Sequence, residues 1–156
     1  MLKFIFLLSL SALLVSCVKE EKKSDHMTGG SLIGVNYTGE GIQRFSVDNS
    51  GGGSIGRYSI SGNYCCTMYP EKWTADLRVE VEWVSGHYDN HDKFIVKEHQ
   101  KTIPIEQYTE LGEVFLVFLP KDEVRLYIFN GGPKSPNFPS KLGFPEEPSK
   151  TKRITP

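Results

Sequence analysis

The chain has 156 residues, 18 basic and 19 acidic side chains, a net charge of −1 and 38% hydrophobic residues. That length suits one domain with a core of useful size. The lysines are scattered among acids and form no basic stripe, which argues against a nucleic-acid binder.

At the N-terminus Lys3 gives a positive start and residues 4–15 form an apolar run broken only by Ser9 and Ser11. This is the length of a signal-peptide core and falls short of the roughly 20 residues that a spanning helix needs. The run closes on Leu14-Val15-Ser16-Cys17, which resembles the lipobox of bacterial lipoproteins. The resemblance implies a signal peptide over residues 1–16, cleavage before Cys17, and covalent lipid (diacylglyceryl and N-acyl) on Cys17. Attachment to the membrane would then be by lipid alone. Val18 stands where an aspartate would favour retention in the inner membrane, so resemblance to enterobacterial sorting implies the outer membrane, with the domain facing the periplasm. Residues 18–31 (VKEEKKSDHMTGGS) are charged and then Gly/Ser-rich. Such a stretch lacks the apolar surface to order itself, and we expect a flexible tether over 17–31.

From residue 32 the pattern is short, β-rich and punctuated. Residues 32–38 read as a strand ended by Gly39-Glu40-Gly41, and 42–48 as a second with Phe45 and Val47 on a buried face. Gly51-Gly52-Gly53 breaks the chain, and 58–61 and 64–68 are strand pieces joined by Gly62-Asn63. Residues 77–84 form the clearest strand: Leu77, Val79, Val81 and Trp83 point one way, Arg78, Glu80 and Glu82 the other. A polar loop over 85–92 precedes a strand over 93–100, and 102–108, with Pro104, suggests an edge or irregular strand. Residues 114–119 are continuously apolar, as in a strand buried on both sides, and 124–129 alternate. Only the short stretch 70–76, opened by Pro70, is a helical candidate. Strands at intervals of about 10–15 residues, separated by Gly, Pro and Asn, predict an all-β domain over 32–130: one sandwich or open barrel of about 7–9 mostly antiparallel strands. Residues 131–156 hold six of the nine prolines and predict an extended tail, lying on the domain to about Phe144 and free beyond it.

Several landmarks fall in one order: Gly34-Val35-Asn36-Tyr37-Thr38, Gly51-Gly52-Gly53, Cys65-Cys66, Pro70-x-x-Trp73, and the strand ending in Trp83. Over about 34–138 this pattern resembles a family of small bacterial lipoproteins whose shared domain has unknown function. The Pro-rich tail matches that pattern only loosely. Members of the family resemble the immunity lipoproteins encoded beside type VI secretion phospholipase effectors. That resemblance implies a protein partner of the lipase type, bound and silenced in the periplasm.

The residues themselves offer few routes to chemistry. Cys65 and Cys66 are adjacent, with α-carbons about 3.8 Å apart across a trans peptide, below the usual disulfide range. Two separately buried, inert thiols are the leading expectation; a vicinal disulfide, and redox function or intermolecular pairing, are the alternatives. In the loop 85–92, His87 and His91 with Asp89 or Asp92 are weak candidates for a metal site, against the commoner reading of a solvated hairpin loop. Gly52-Gly53-Ser54-Ile55-Gly56 is one residue short of a nucleophile elbow, no phosphate loop is present, and His99 shows no evident acid or nucleophile partner. We therefore expect no enzyme and no cofactor besides the lipid. Tyr58, Trp73 and Tyr108 are candidate contacts with a protein partner, Trp73 being more readily explained by packing at the core edge. The acidic runs 106–110 and 122–123 belong to loops suited to recognition. The leading expectation is an immunity lipoprotein. The alternatives are an envelope assembly lipoprotein with a resident partner and, more weakly, a metal-binding lipoprotein.

Overall fold

A computed structural model describes residues 26–148. Among them there is no helix; nine strands form two facing sheets that do not close into a barrel. The strands are β1 (Met27–Asn36), β2 (Gly41–Val47), β3 (Ser50–Gly52), β4 (Ser59–Ile60), β5 (Tyr64–Pro70), β6 (Arg78–Tyr88), β7 (Phe94–Pro104), β8 (Glu113–Leu119) and β9 (Glu123–Phe129). One sheet runs β4-β1-β8-β9, with β5 pairing β1 on the same edge as β4; the other runs β3-β2-β6-β7. Every pair of strands is antiparallel except β1 with β8. The expected all-β sandwich is the fold.

Alternation along the strands builds two apolar clusters rather than one. Leu32, Val114, Leu116, Phe118, Leu126 and Ile128 face the second sheet, where Phe45, Val47, Val79, Val81 and Trp83 meet them. The intervening residues Ile33, Val35, Phe115, Val117 and Tyr127 point outward, and Phe138 of the C-terminal segment covers them. Residues Val114 to Phe118 are therefore buried on both faces, as their unbroken apolar run predicts. Gly34 lies beneath Ile55 and Phe45. A Cβ there would sit 2.2 Å from Ile55 Cδ1 and 3.0 Å from Phe45 Cζ, so that position requires glycine.

Several expected boundaries move. Residues 27–31, assigned to the tether, are the first half of β1, paired with β5 from Met27↔Pro70 to Gly30↔Thr67. Backbone pairing along an existing edge supplies the order that their side chains do not. The two strands expected over 93–100 and 102–108 are one long strand, β7, which pairs with β6 without a break from Arg78↔Pro104 to Tyr88↔Phe94. Pro104 is tolerated because it is the last residue of an edge strand. The stretch 70–76 is turn and bend rather than helix. The tail is more than a surface strap up to Phe144: Phe138 is 4% exposed and packs edge-on against Phe115 at 5.0 Å and Phe129 at 5.6 Å. Cys17 and residues 149–156 lie outside the described residues. Within 26–148, no helix is long and apolar enough to cross a membrane.

Phe138→Ala removes the lid of the outer cluster. It should lower unfolding free energy by about 3–4 kcal/mol in urea titrations. The same substitution at exposed Phe144 should cost far less.

Candidate functional site

The polar features of the fold gather at one pole of the sandwich, where β1 and β8 end and β2, β7 and β9 begin. The loops there hang from Asn36, a fully buried amide that ends the apolar run Leu32–Val35. Its Nδ2 donates to the carbonyls of Glu40 at 2.8 Å and Gly56 at 2.9 Å. Its Oδ1 accepts from the Thr38 backbone N–H at 3.0 Å and the Thr38 hydroxyl at 2.8 Å. One side chain thus satisfies two loops at once, and the Asn36-Tyr37-Thr38 motif acquires a physical reason. Tyr37 points to the other face and donates through its hydroxyl to the Gly143 carbonyl at 2.5 Å, pinning the tail.

Between these loops and the β8–β9 turn lies a cleft of about 290 Å³. Ile42, Trp83 and Phe118 line its interior, with Tyr37, Tyr58 and Glu40 among its other walls. Tyr58, one of the expected contact residues, is half-buried there with a left-handed backbone (φ 46°). Its hydroxyl comes so near Gly39 that a Cβ at that position would be 3.3 Å away. A second, wider concavity adjoins the first across Gly39, Glu40 and Ile42 and continues to Arg57, His87, Tyr88 and Phe94. The β6–β7 hairpin forms its far wall.

Asp89 shapes the tip of that hairpin, accepting from the backbone N–H groups of His91 at 2.8 Å and Lys93 at 2.9 Å. Below the tip, Tyr88 and Phe94 face each other across the strands with ring centroids 5.0 Å apart. Phe94 lies over Gly86, where a Cβ would be 2.5 Å from its ring. Tyr88 is 70% exposed and Val96 56%, so this end of the outer sheet face presents an apolar patch without cover among the described residues.

Of the metal candidates, Asp89 is committed to backbone donors, and His87 Nδ1 stands 3.4 Å from Glu40 Oε1. Among the described residues, no three His, Cys, Asp or Glu side chains are grouped to hold a metal. Two other expectations are corrected. Tyr108 is 7% exposed and gives its hydroxyl to the Pro70 carbonyl, with burial raising its pKa; it is a core residue, not a contact. Cys65 and Cys66 are both exposed and joined to each other in a vicinal disulfide, not buried as separate thiols. Trp73 is half-buried against the core and donates from Nε1 to the Ile105 carbonyl at 2.9 Å, which makes it a packing residue at the core edge.

His99 has the partners its sequence context did not reveal. It pairs with Trp83 in the β6–β7 register and stacks flat on the indole, centroids 4.4 Å apart. Its Nε2 is 3.0 Å from Ser85 Oγ and its Nδ1 is 3.9 Å from Asp122 Oδ2. The residue types are those of a serine hydrolase, but the spacing differs from one. Asp122 is beyond hydrogen-bond reach of the imidazole and stands 2.5 Å from Lys97 Nζ, while Lys101 Nζ donates to the Asp122 carbonyl at 2.6 Å. Ser85 is buried at 4%. The arrangement clasps the β8–β9 turn to β7. Burial lowers the pKa of His99 against the opposing pull of Asp122, and the bond from Lys97 lowers that of Asp122.

Together these features define a two-sheet all-β domain that bears one preorganised concave pole. A family model described as "Protein of unknown function (DUF3304)" matches residues 35–126. This is more than half of the chain, and the chain belongs to that family. Asn36, Tyr58, the cysteine pair, Trp83, Ser85, His99 and Asp122 all fall within the matched span; Phe138 does not. No curated protein and no solved structure matches the chain.

Three outcomes test this geometry. Asn36→Ala removes four hydrogen bonds, leaving the Gly56 carbonyl without its donor and the Thr38 N–H without its acceptor, and should cost about 2–3 kcal/mol, with faster amide exchange confined to residues 37–41 and 54–58. Protonating His99 favours the unfolded chain, because its folded pKa lies below the ordinary 6.5. Stability should therefore be complete above that value and decline as pH falls through it, with Asp122 adding a further loss at more acidic pH. His99→Gln should flatten the decline of the urea midpoint between pH 7 and 5. In a Cys17→Ser chain, a thiol reagent in denaturant should find no free thiol before reduction and two after it.

Proposed function

We propose that the chain is a lipid-anchored immunity protein of the periplasm, held at the outer membrane, that binds a secreted phospholipase effector and neutralises it without turnover. The observation that carries this reading is the uncovered aromatic end of the β6–β7 hairpin beside a concavity whose loops are fixed by Asn36. Exposed aromatics on a rigid frame lose little conformational freedom on binding and make strong interface anchors. The family resemblance supplies the class of partner. Lipid on Cys17 would hold the inhibitor at the surface such an enzyme attacks and raise its local concentration there.

The test is direct. A phospholipase effector gene should lie beside this one, a strain lacking this gene should become sensitive to that enzyme, and the purified chain should inhibit it at a one-to-one ratio. Unchanged sensitivity of the deletion strain would count against immunity and toward a resident envelope partner. Cys17→Ser should abolish membrane retention and weaken protection while leaving inhibition in solution intact.

A further inference from the structure

We infer that the 290 Å³ cleft is a receptor for an arginine side chain presented by a loop of a protein partner. The assignment of that arginine to the effector rests on the immunity reading; the chemistry of the cleft does not. Four observations carry the inference.

The first is polarity. Residues before Met27 join the fold at the start of β1, whereas the cleft lies at its end, beyond Asn36. Ten strand residues at about 3.3 Å each separate the two by roughly 30 Å. The cleft and the exposed Tyr88, Phe94 and Val96 thus lie at the end of the domain farthest from its N-terminal entry, where a partner reaches them without meeting whatever holds that entry.

The second is size. At about 290 Å³ the cleft lies at the lower limit for small-molecule sites and suits a single long side chain. The third is lining. Ile42, Trp83 and Phe118 offer apolar surface to an aliphatic stem, and Tyr58 brings an aromatic side chain to the wall. The flat, weakly hydrated guanidinium is the cation best matched to such walls. The fourth is charge. Among the described residues Glu40, Asp122 and Glu123 outnumber Lys121 in the lining; Asp122 and Glu123 are engaged by Lys97 and Arg125, while Glu40 pairs with His87 alone, at 3.4 Å, and its side chain is 43% exposed. A guanidinium can meet that carboxylate with two parallel hydrogen bonds. Asn36 holds Glu40 by its main-chain carbonyl, so the carboxylate can change partners without moving the loop.

The experiment uses the mature chain carrying Cys17→Ser, isotopically labelled for NMR. The probes are N-acetyl-arginine amide and its uncharged isostere N-acetyl-citrulline amide. The arginine probe should shift resonances of residues 37–42 and Tyr58 with millimolar affinity, at least about ten-fold tighter than the citrulline probe. Glu40→Gln should erase about ten-fold of that affinity without disturbing the spectrum elsewhere. Equal binding of the two probes, shifts confined to other surfaces, or no shifts would overturn the proposal.

A second arm uses the adjacent-gene phospholipase. Glu40→Arg and Tyr88→Ser should weaken inhibition by about a hundred-fold, while Met68→Ser, toward the other pole, should inhibit as the parent does. Inhibition by the two distal variants at parental strength would sink the assignment to this pole, with immunity itself intact. Should the parent chain not inhibit at all, the immunity reading falls and the arginine probe still decides the cleft. Sedimentation with phosphatidylethanolamine–phosphatidylglycerol vesicles is expected to be weak and unaffected by Tyr88→Ser. Vesicle binding that depends on Tyr88 would make lipid the occupant and overturn the inference.

Discussion

The parallel pairing of β1 with β8 is the constraint on which the molecule depends. Over Leu32–Val35 and Val114–Phe118 the two strands are buried on two sides, so the residues there must be apolar toward one neighbour or the other. The inward residues meet the second sheet; the outward ones need a cover that neither sheet supplies. The C-terminal segment provides it through Phe138. A chain that ended at β9 would leave Ile33, Val35, Phe115 and Val117 on a wet face. The proline-rich segment is thus a third layer, one side chain thick at its centre.

The same pairing fixes where polarity can enter. Asn36 is the last residue of β1 and lies opposite Phe118, at the edge of the apolar region. There its amide is dry enough for its four hydrogen bonds to be strong and near enough to the loops to reach them. At the corresponding end of the other sheet, β7 turns Lys97, His99 and Lys101 toward the β8–β9 turn in place of apolar residues.

Much of the fold was legible because a strand with one wet face advertises itself by alternation, as 77–84 does, and one with none by an unbroken run, as 114–119 does. What was hidden had a common cause. Order at 27–31 comes from backbone pairing with β5, which leaves no trace in side-chain pattern. The continuity of β7 was masked by lysines and a histidine on its inward face, where an apolar period was expected. That masking also concealed the clasp, since Ser85, His99 and Asp122 become neighbours only once the Trp83↔His99 register is known. Asn36 carried a signal, a lone amide in a greasy strand. Tyr108 misled because a buried phenol and a contact phenol look alike until the hydroxyl's partner is seen. The tip of the β6–β7 hairpin showed its turn residues, but the exposure of Tyr88 and Phe94 depends on the strands projecting past the cleft.

The early start of β1 has a mechanical consequence. The chain enters the fold at Met27 rather than at residue 32, so its point of entry and the concave pole stand a full strand apart, roughly 30 Å at about 3.3 Å per residue. A partner seated at that pole therefore meets the domain at the end farthest from its N-terminal entry.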